Sequence, residues 1–311
     1  MRKIIVHNPC NEYTRYYRNY NLFWDKLTDE LKKIFVVTEN RYFEFANSRQ
    51  FPIKLRKGKS NYFALHECEY VIEFEDTGEF YILSVSDRLS TAILNEQNNP
   101  SLKKVLVSQF NYDYLKNYIK DSIEKYSPWI YFQQEVFDYE KFYEKRKTFN
   151  TFIDKMYFRG TLSERPITQF FDKKYVEGFG SIPNYFDDLI KYKIGLSIAG
   201  VGELCYRDIE YMCMGMPFLR FEYLSELNPK LIPNYHYISV DRPDDIPNHN
   251  GLSTDRLGLE KHAKLIEKRF LEVKDDLDFL NFISKNAREY YTTYLNENNV
   301  NHTIKLLNLK Y

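Results

Sequence analysis

Cysteine and long apolar runs are both scarce in this chain of 311 residues. It contains four cysteines, and no two of them form a Cys-x-x-Cys motif. Four are too few for a disulfide scaffold and suit a reducing compartment. No stretch approaches the roughly 20 apolar residues of a membrane-spanning helix. The short apolar run after Lys3 does not resemble a signal peptide. We therefore expect a cytoplasmic protein with no membrane span.

Net charge is absent as well, because 44 Lys and Arg balance 44 Asp and Glu. No overall field then favours nucleic acid or an anionic membrane. Tryptophan occurs only twice, against 28 Tyr and 24 Phe. A low-GC bias in the coding sequence would give this excess of Tyr and Phe over Trp. Protein surfaces on which sugars or bases stack would give it as well. Composition alone does not separate the two explanations.

The length indicates two domains, at roughly 100–200 residues each. In the first half, two apolar strands flank a turn at Asp76–Glu79, which predicts a hairpin. The second half alternates strands and helices with short loops, which is typical of a parallel sheet covered on both faces. We expect an α/β protein with an N-terminal domain at 1–150, a C-terminal domain at 151–285, and further helices at 286–311.

The segment 195–217 carries the chemistry. A buried strand leads into a loop with Gly200 and Gly202, and a helix follows. Glycines let backbone N–H groups approach a phosphate, and a helix N-terminus favours its negative charge. Such a loop at the carboxyl end of a strand is where ligands bind in open α/β sheets. The segment therefore predicts an anion site.

Polar side chains on the expected helix extend this site. Glu203, Arg207 and Glu210 are spaced i, i+4 and i+7, so on a helix they share one face. An arginine between two carboxylates can hold a diphosphate while a glutamate accepts ribose hydroxyls. The alternative is a solvated helix face with two ion pairs.

The stretch Glu210–Pro217 resembles the E-a-x-x-x-G-x-P element of GT-B glycosyltransferases. In that fold the glutamate binds the nucleotide ribose, and the glycine and proline turn the helix into the next strand. Many retaining members carry a second glutamate eight positions earlier, which contacts the donor sugar. Here that position is Gly202, and Glu203 lies seven positions earlier.

A closer resemblance, over about residues 155–295, is to the protein O-glucosyltransferase and capsule xylosyltransferase family, with exostosins as cousins. The segments that carry it are Phe158-Arg159-Gly160 followed by Arg165, the strand Tyr192–Gly200, Arg207 at the position of a phosphate-binding arginine, His236–Val240, and Asn286–Tyr290. The donor-binding residues that the resemblance and the spacing together indicate are Arg159, Arg165, Gly200, Gly202, Glu203, Arg207 and Glu210.

This resemblance implies a GT-B-like fold, with two Rossmann-like domains that face each other across a cleft. The domain at 1–150 would bind the acceptor, the domain at 151–285 would bind the donor, and the helices at 286–311 would cross back to the first domain. It implies transfer of a sugar from a nucleotide-sugar donor, UDP-linked, to a hydroxyl on a glycan or protein. Arginines and the helix dipole would stabilise the leaving diphosphate. No Asp-x-Asp occupies the place that a metal-dependent site needs, so we expect no metal and no other cofactor.

An inverting transferase needs a base near the acceptor hydroxyl. The strand that ends at Val85 leads to Asp87, which is our candidate catalytic residue. The alternative is that Asp87 caps the helix that follows. Weaker candidates are Asp25, Glu12 and His7.

Two other functions stay open. Basic clusters at Arg15–Arg18 and Lys54–Lys59 could contact a DNA acceptor with hydroxymethylated bases, as in some viral glycosyltransferases. Solvated loops explain the same clusters. The chain could also be a non-catalytic module that binds a nucleotide or a glycan.

Overall fold

The computed structural model describes most of the chain. The described residues are 1–9, 18–41, 50–59, 63–66, 68–85, 89–108, 110–119, 121–131, 139–159, 165–178, 185–199, 203–243, 256–296 and 298–309. The strands are β1 (Lys3–Asn8), β2 (Val36–Arg41), β3 (Gln50–Ile53), β4 (Phe63–His66), β5 (Glu69–Phe74), β6 (Phe80–Ser84), β7 (Leu102–Val107), β8 (Tyr126–Pro128), β9 (Ile153–Tyr157), β10 (Val176–Glu177), β11 (Tyr192–Leu196), β12 (Phe218–Phe221) and β13 (Ile238–Val240). The α-helices are α1 (Arg18–Lys32), α2 (Thr91–Glu96), α3 (Tyr112–Leu115), α4 (Tyr139–Lys147), α5 (Tyr185–Leu189), α6 (Tyr206–Cys213), α7 (Arg256–Val273), α8 (Leu277–Tyr290) and α9 (Asn298–Leu307).

The chain divides into two compact units. Unit 1 comprises 1–136, 226–229 and 294–311, and unit 2 comprises 137–225 and 230–293. The first division therefore lies before α4, earlier than the boundary at 150 expected from the sequence. The reason is Arg146 of α4, whose buried guanidinium donates to the carbonyls of Ile190 and Tyr192 at 3.0 and 2.6 Å. These bonds tie α4 to the second unit.

Unit 1 contains a six-stranded mixed sheet in the order β2-β1-β5-β6-β7-β8. Strands β5 and β6 pair antiparallel around the turn at Asp76–Glu79, which confirms the predicted hairpin. Strands β1 and β2 are parallel, and so are β6, β7 and β8. Along β5, Tyr70 and Ile72 enter one buried cluster and Val71 enters another. Because successive side chains point to opposite faces, the sheet is covered on both sides.

The sequence from about Tyr112 to Tyr126 predicts one continuous helix, and this expectation is wrong. Helix α3 ends at Leu115, and Tyr126 begins strand β8, which pairs with β7. The pairing of Tyr126–Pro128 with Val105–Val107 is a tertiary contact, which the local spacing of 112–126 does not reveal.

Unit 2 contains a five-stranded, entirely parallel sheet in the order β10-β9-β11-β12-β13. The α/β class predicted from the sequence is confirmed. From β9 the chain continues to β10, which pairs with one edge of β9. It then returns to form β11, which pairs with the opposite edge of β9. The topological switch point therefore lies between β9 and β11, and ligands of open α/β sheets bind at the carboxyl ends of strands at such a point.

In the described part of the chain, no helix combines the length and the apolar character that crossing a membrane requires.

Candidate functional site

The switch point of unit 2 brings two chain segments together. Phe158 and Arg159 follow β9 directly, and Ser197 and Ile198 follow β11. Helix α6 is packed against this edge by Tyr211, whose hydroxyl lies 3.0 Å from the carbonyl oxygen of Tyr157 and 3.1 Å from that of Leu196. A side chain at position 195 would collide with this tyrosine ring, at 2.7 Å. Gly195 therefore permits the close approach of α6 to β11.

Helix α6 begins at Tyr206, and Cys205 is its N-cap. The N–H of Cys205 donates to the Asp208 carboxylate at 2.9 Å, which satisfies one of the free donors at the start of the helix. The same carboxylate oxygen pairs with the Arg220 guanidinium on β12 at 2.6 Å, and both side chains are buried. Neither Asp208 nor Arg220 was singled out from the sequence. The sign of this ion pair that is visible in the sequence is Arg220, a charged residue within the otherwise apolar strand Phe218–Phe221.

Arg207 lies in the first turn of α6 and is only 8% exposed. Its guanidinium carbon is 4.5 Å from the centre of the Phe158 ring, and its Nη2 donates to the carbonyl of Arg159. Its Nε and Nη1 are buried, and no acceptor among the described residues reaches them. A buried donor without a partner costs about 1–3 kcal/mol. Arg207 therefore brings to the switch point two N–H groups that the described part of the chain leaves unsatisfied.

Two further predicted arginines lie at the same edge. Arg159 is half-buried, and its Nε donates to the Tyr157 hydroxyl at 3.0 Å. Arg165 is buried, and its Nε donates to the carbonyl of Ile198 at 3.1 Å, beyond the end of β11. The structure thus brings Arg159, Arg165 and Arg207 together around the carboxyl ends of β9 and β11.

Glu210 lies one turn after Arg207 on α6. One of its carboxylate oxygens, Oε2, accepts a hydrogen bond of 2.8 Å from the hydroxyl of Tyr185. Burial raises the pKa of the Glu210 carboxyl, and the Tyr185 hydrogen bond and the Arg207 charge oppose that rise. Sequence reasoning missed Tyr185, because nothing in the spacing connects two residues 25 positions apart.

Glu203 does not share a helical face with Arg207 and Glu210, which corrects the sequence argument. It precedes the N-cap at Cys205, so the i, i+4 spacing has no helix to act on. Its carboxylate accepts the N–H groups of Leu224 and Ser225 at 2.8 and 2.6 Å and pairs with Arg242. These bonds hold the segment after β12. Its donor contact stays a prediction.

Three other predicted site residues lie outside the described residues: Gly200, Gly202 and the candidate base Asp87. The weaker base candidate Glu12 also lies outside them. In the described part of unit 1, Asp25 pairs with Arg41 at 2.9 Å, and His7 lies 3.6 Å from Glu73. No group of three or more His, Cys, Asp and Glu side chains in the described ranges could hold a metal ion.

Neither a protein-family model nor a curated protein matches this chain. Among solved structures, a glycosyltransferase from Rickettsia africae is 13% identical, covering 71% of this chain and 67% of that chain with a TM-score of 0.42. HepE from Anabaena, in complex with UDP-glucose, is 10% identical, covering 70% and 66% with a TM-score of 0.40. A pneumococcal O-GlcNAc transferase, in complex with UDP and GlcNAc, is 8% identical, covering 83% and 69% with a TM-score of 0.33. At this level of likeness, the function must be argued from the site itself.

His236 precedes β13 and is also part of the sequence resemblance. Its side chain is buried, and its Nδ1 accepts the N–H of Ile232 at 2.8 Å. Burial lowers the pKa of His236 from 6.5 to about 4. The folded chain therefore keeps this ring neutral, in a structural role within unit 2.

A pH-dependent stability follows from His236. Between pH 6.5 and 4 the unfolded chain binds a proton that the folded chain does not, so stability falls as the pH falls. From pH 7 to pH 5 the loss at this residue is about 2 kcal/mol. Urea unfolding followed by circular dichroism should show that loss in the wild type and a correspondingly smaller one in His236→Asn. Equal losses in the two proteins would exclude His236 as the source.

Proposed function

We propose that this chain is a glycosyltransferase that binds a nucleotide-sugar through unit 2. The observation that carries the proposal is Arg207 at the switch point of a parallel sheet, with two buried N–H groups that no acceptor among the described residues satisfies. A diphosphate offers the oxygens that would satisfy both groups, since a guanidinium fork matches phosphate geometry. The start of α6 adds the partial positive charge of a helix N-terminus.

The remaining predicted residues extend the proposal. Arg159 and Arg165 add positive charge at the same edge and would help to neutralise the leaving diphosphate without a metal. Glu210 is suited to accept ribose hydroxyls. Gly200 and Gly202 would line the phosphates, and Glu203 would face the donor sugar.

The finer parts of the function follow the sequence resemblance. We infer a UDP-linked donor, a hydroxyl acceptor on a glycan or protein, an acceptor domain formed by the first half of the chain, and Asp87 as the acceptor base. The chain's zero net charge gives no support to a DNA acceptor over a neutral one.

Calorimetric titration with UDP, UDP-glucose and UDP-GlcNAc tests this function, with ADP and GDP as base controls. A uridine ligand at 100 times its dissociation constant should add about 2.7 kcal/mol of stability. Slow release of free sugar from the donor, in excess EDTA and without an acceptor, should accompany binding. Binding without hydrolysis or transfer would favour the non-catalytic module, and the absence of binding by any nucleotide would reject both.

A further inference from the structure

The carboxylate of Glu210 is used unequally in this structure. Its Oε2 accepts the Tyr185 hydroxyl, whereas its Oε1 makes no hydrogen bond with any described residue. Glu210 is half-buried, and Oε1 is not among the fully buried side-chain atoms that lack a partner in the described residues, so this oxygen keeps some exposed surface. Within the described residues, one oxygen is held by the protein and the other is left for a ligand.

Tyr185 is itself held firmly. It opens α5, and its ring packs edge-on against Phe186 at 4.7 Å and beside Tyr157 at 6.2 Å between centroids. Tyr157 is the last residue of β9, at the switch point. Aromatic contacts of this kind favour particular ring geometries and contribute about 0.5–1.5 kcal/mol each. They support the ring orientation in which the Tyr185 hydroxyl donates to Glu210.

We propose that Tyr185 is a positioning residue for ribose recognition, which orients Glu210 so that Oε1 accepts the ribose hydroxyls of a bound nucleotide. This inference rests on the proposed function of unit 2. A carboxylate that is fixed before the ligand arrives loses little side-chain freedom on binding. Without the Tyr185 hydroxyl, Glu210 must be ordered by the ligand itself.

The hydrogen bond has a second effect, on the charge of Glu210. Burial raises the pKa of this carboxyl, and the Tyr185 hydrogen bond is the larger of the two effects that lower it again. Tyr185 thus helps to keep Glu210 ionised, and an ionised carboxylate is the better acceptor. Removing the hydroxyl moves the loss of ionisation to a higher pH.

The experiment compares the affinities of UDP and 2′,3′-dideoxy-UDP by calorimetry in three proteins. In the wild type, UDP should bind at least about 10-fold more tightly, as expected for hydrogen bonds to a charged group. Tyr185→Phe should reduce that preference by about 3- to 10-fold and leave 2′,3′-dideoxy-UDP binding unchanged. Tyr192→Phe is the matched control, because it removes a hydroxyl from the same aromatic cluster, 4.5 Å from Tyr157 between ring centroids, and should keep the wild-type preference.

Two further readouts separate positioning from general damage. In the Glu210→Gln background, Tyr185→Phe should have no additional effect on the preference, because the two residues act through one carboxylate. The preference should also disappear at a higher pH in Tyr185→Phe than in the wild type.

The outcomes are distinguishable. If the wild type binds no UDP, the proposed function itself is wrong. If the wild type prefers UDP and Tyr185→Phe keeps the full preference, the positioning role is wrong and the proposed function stands. If the wild type binds UDP and 2′,3′-dideoxy-UDP equally, Glu210 does not contact the ribose hydroxyls. That result would also exclude the proposed role of Tyr185.

Discussion

Replacing Asp208 with alanine should lower the free energy of unfolding of unit 2 by about 3–5 kcal/mol. Asp208 is fully buried and pairs with Arg220, which is 2% exposed. Removing the carboxylate leaves a guanidinium without its counter-charge in the core. It also removes the acceptor for the N–H of Cys205 at the start of α6.

The measurement must report on the correct unit. Trp24 and Trp129 both lie in unit 1, so tryptophan fluorescence does not follow unit 2. Hydrogen exchange of peptides from α6 and β12 is the appropriate probe. The double variant Asp208→Leu with Arg220→Met is the control, because it removes both charges and should be more stable than Asp208→Ala. A loss below about 1 kcal/mol in Asp208→Ala would show that the pair is not structurally important.

Arg207→Ala should weaken UDP binding by about 10- to 150-fold, which corresponds to a charge-assisted contact of about 1.5–3 kcal/mol. The stability of the unliganded protein should change by less than about 1 kcal/mol, because the variant removes the Phe158 packing together with two donors that have no partner among the described residues. An affinity loss without a stability loss is the signature of a binding residue.

Calorimetry and urea unfolding on the same samples separate these two effects. Arg207→Lys should bind UDP with intermediate affinity, since it keeps the charge and loses the bidentate fork. Arg56→Ala, at an exposed arginine of unit 1, is a matched control with no expected change. Unchanged UDP affinity in Arg207→Ala would remove Arg207 from the donor site.

Much of unit 2 could be predicted from the sequence. The strands at β11, β12 and β13 were expected because short apolar runs alternate with helical spacing. The predicted end of α6 was also correct, since Gly215 adopts a positive φ of 56° directly after the helix turn. Local patterns of this kind are visible within one segment, so a single sequence reveals them.

The start of α6 was predicted three residues too early. The position of Glu203 beside a glycine loop suggested a helix from that residue onward. The helix starts at Tyr206 because Asp208 binds the N–H of Cys205 and is itself held by Arg220 of another strand. Asp208 and Arg220 are 12 residues apart in the sequence, and no local sequence pattern predicts their contact.

The sequence by itself determined the α/β class, the strand that leads to the candidate site, and the polar residue types at that site. Hydrophobic periodicity and helix-ending glycines are local, and they act before the chain folds. Only the tertiary structure decided which of those residues meet. The strand order places the switch point between β9 and β11. The folded chain buries Arg207 with two N–H groups that no described residue satisfies, and it brings Tyr185 to Glu210. These relations arise from packing between distant segments, where the free energy depends on neighbours that a linear pattern does not name.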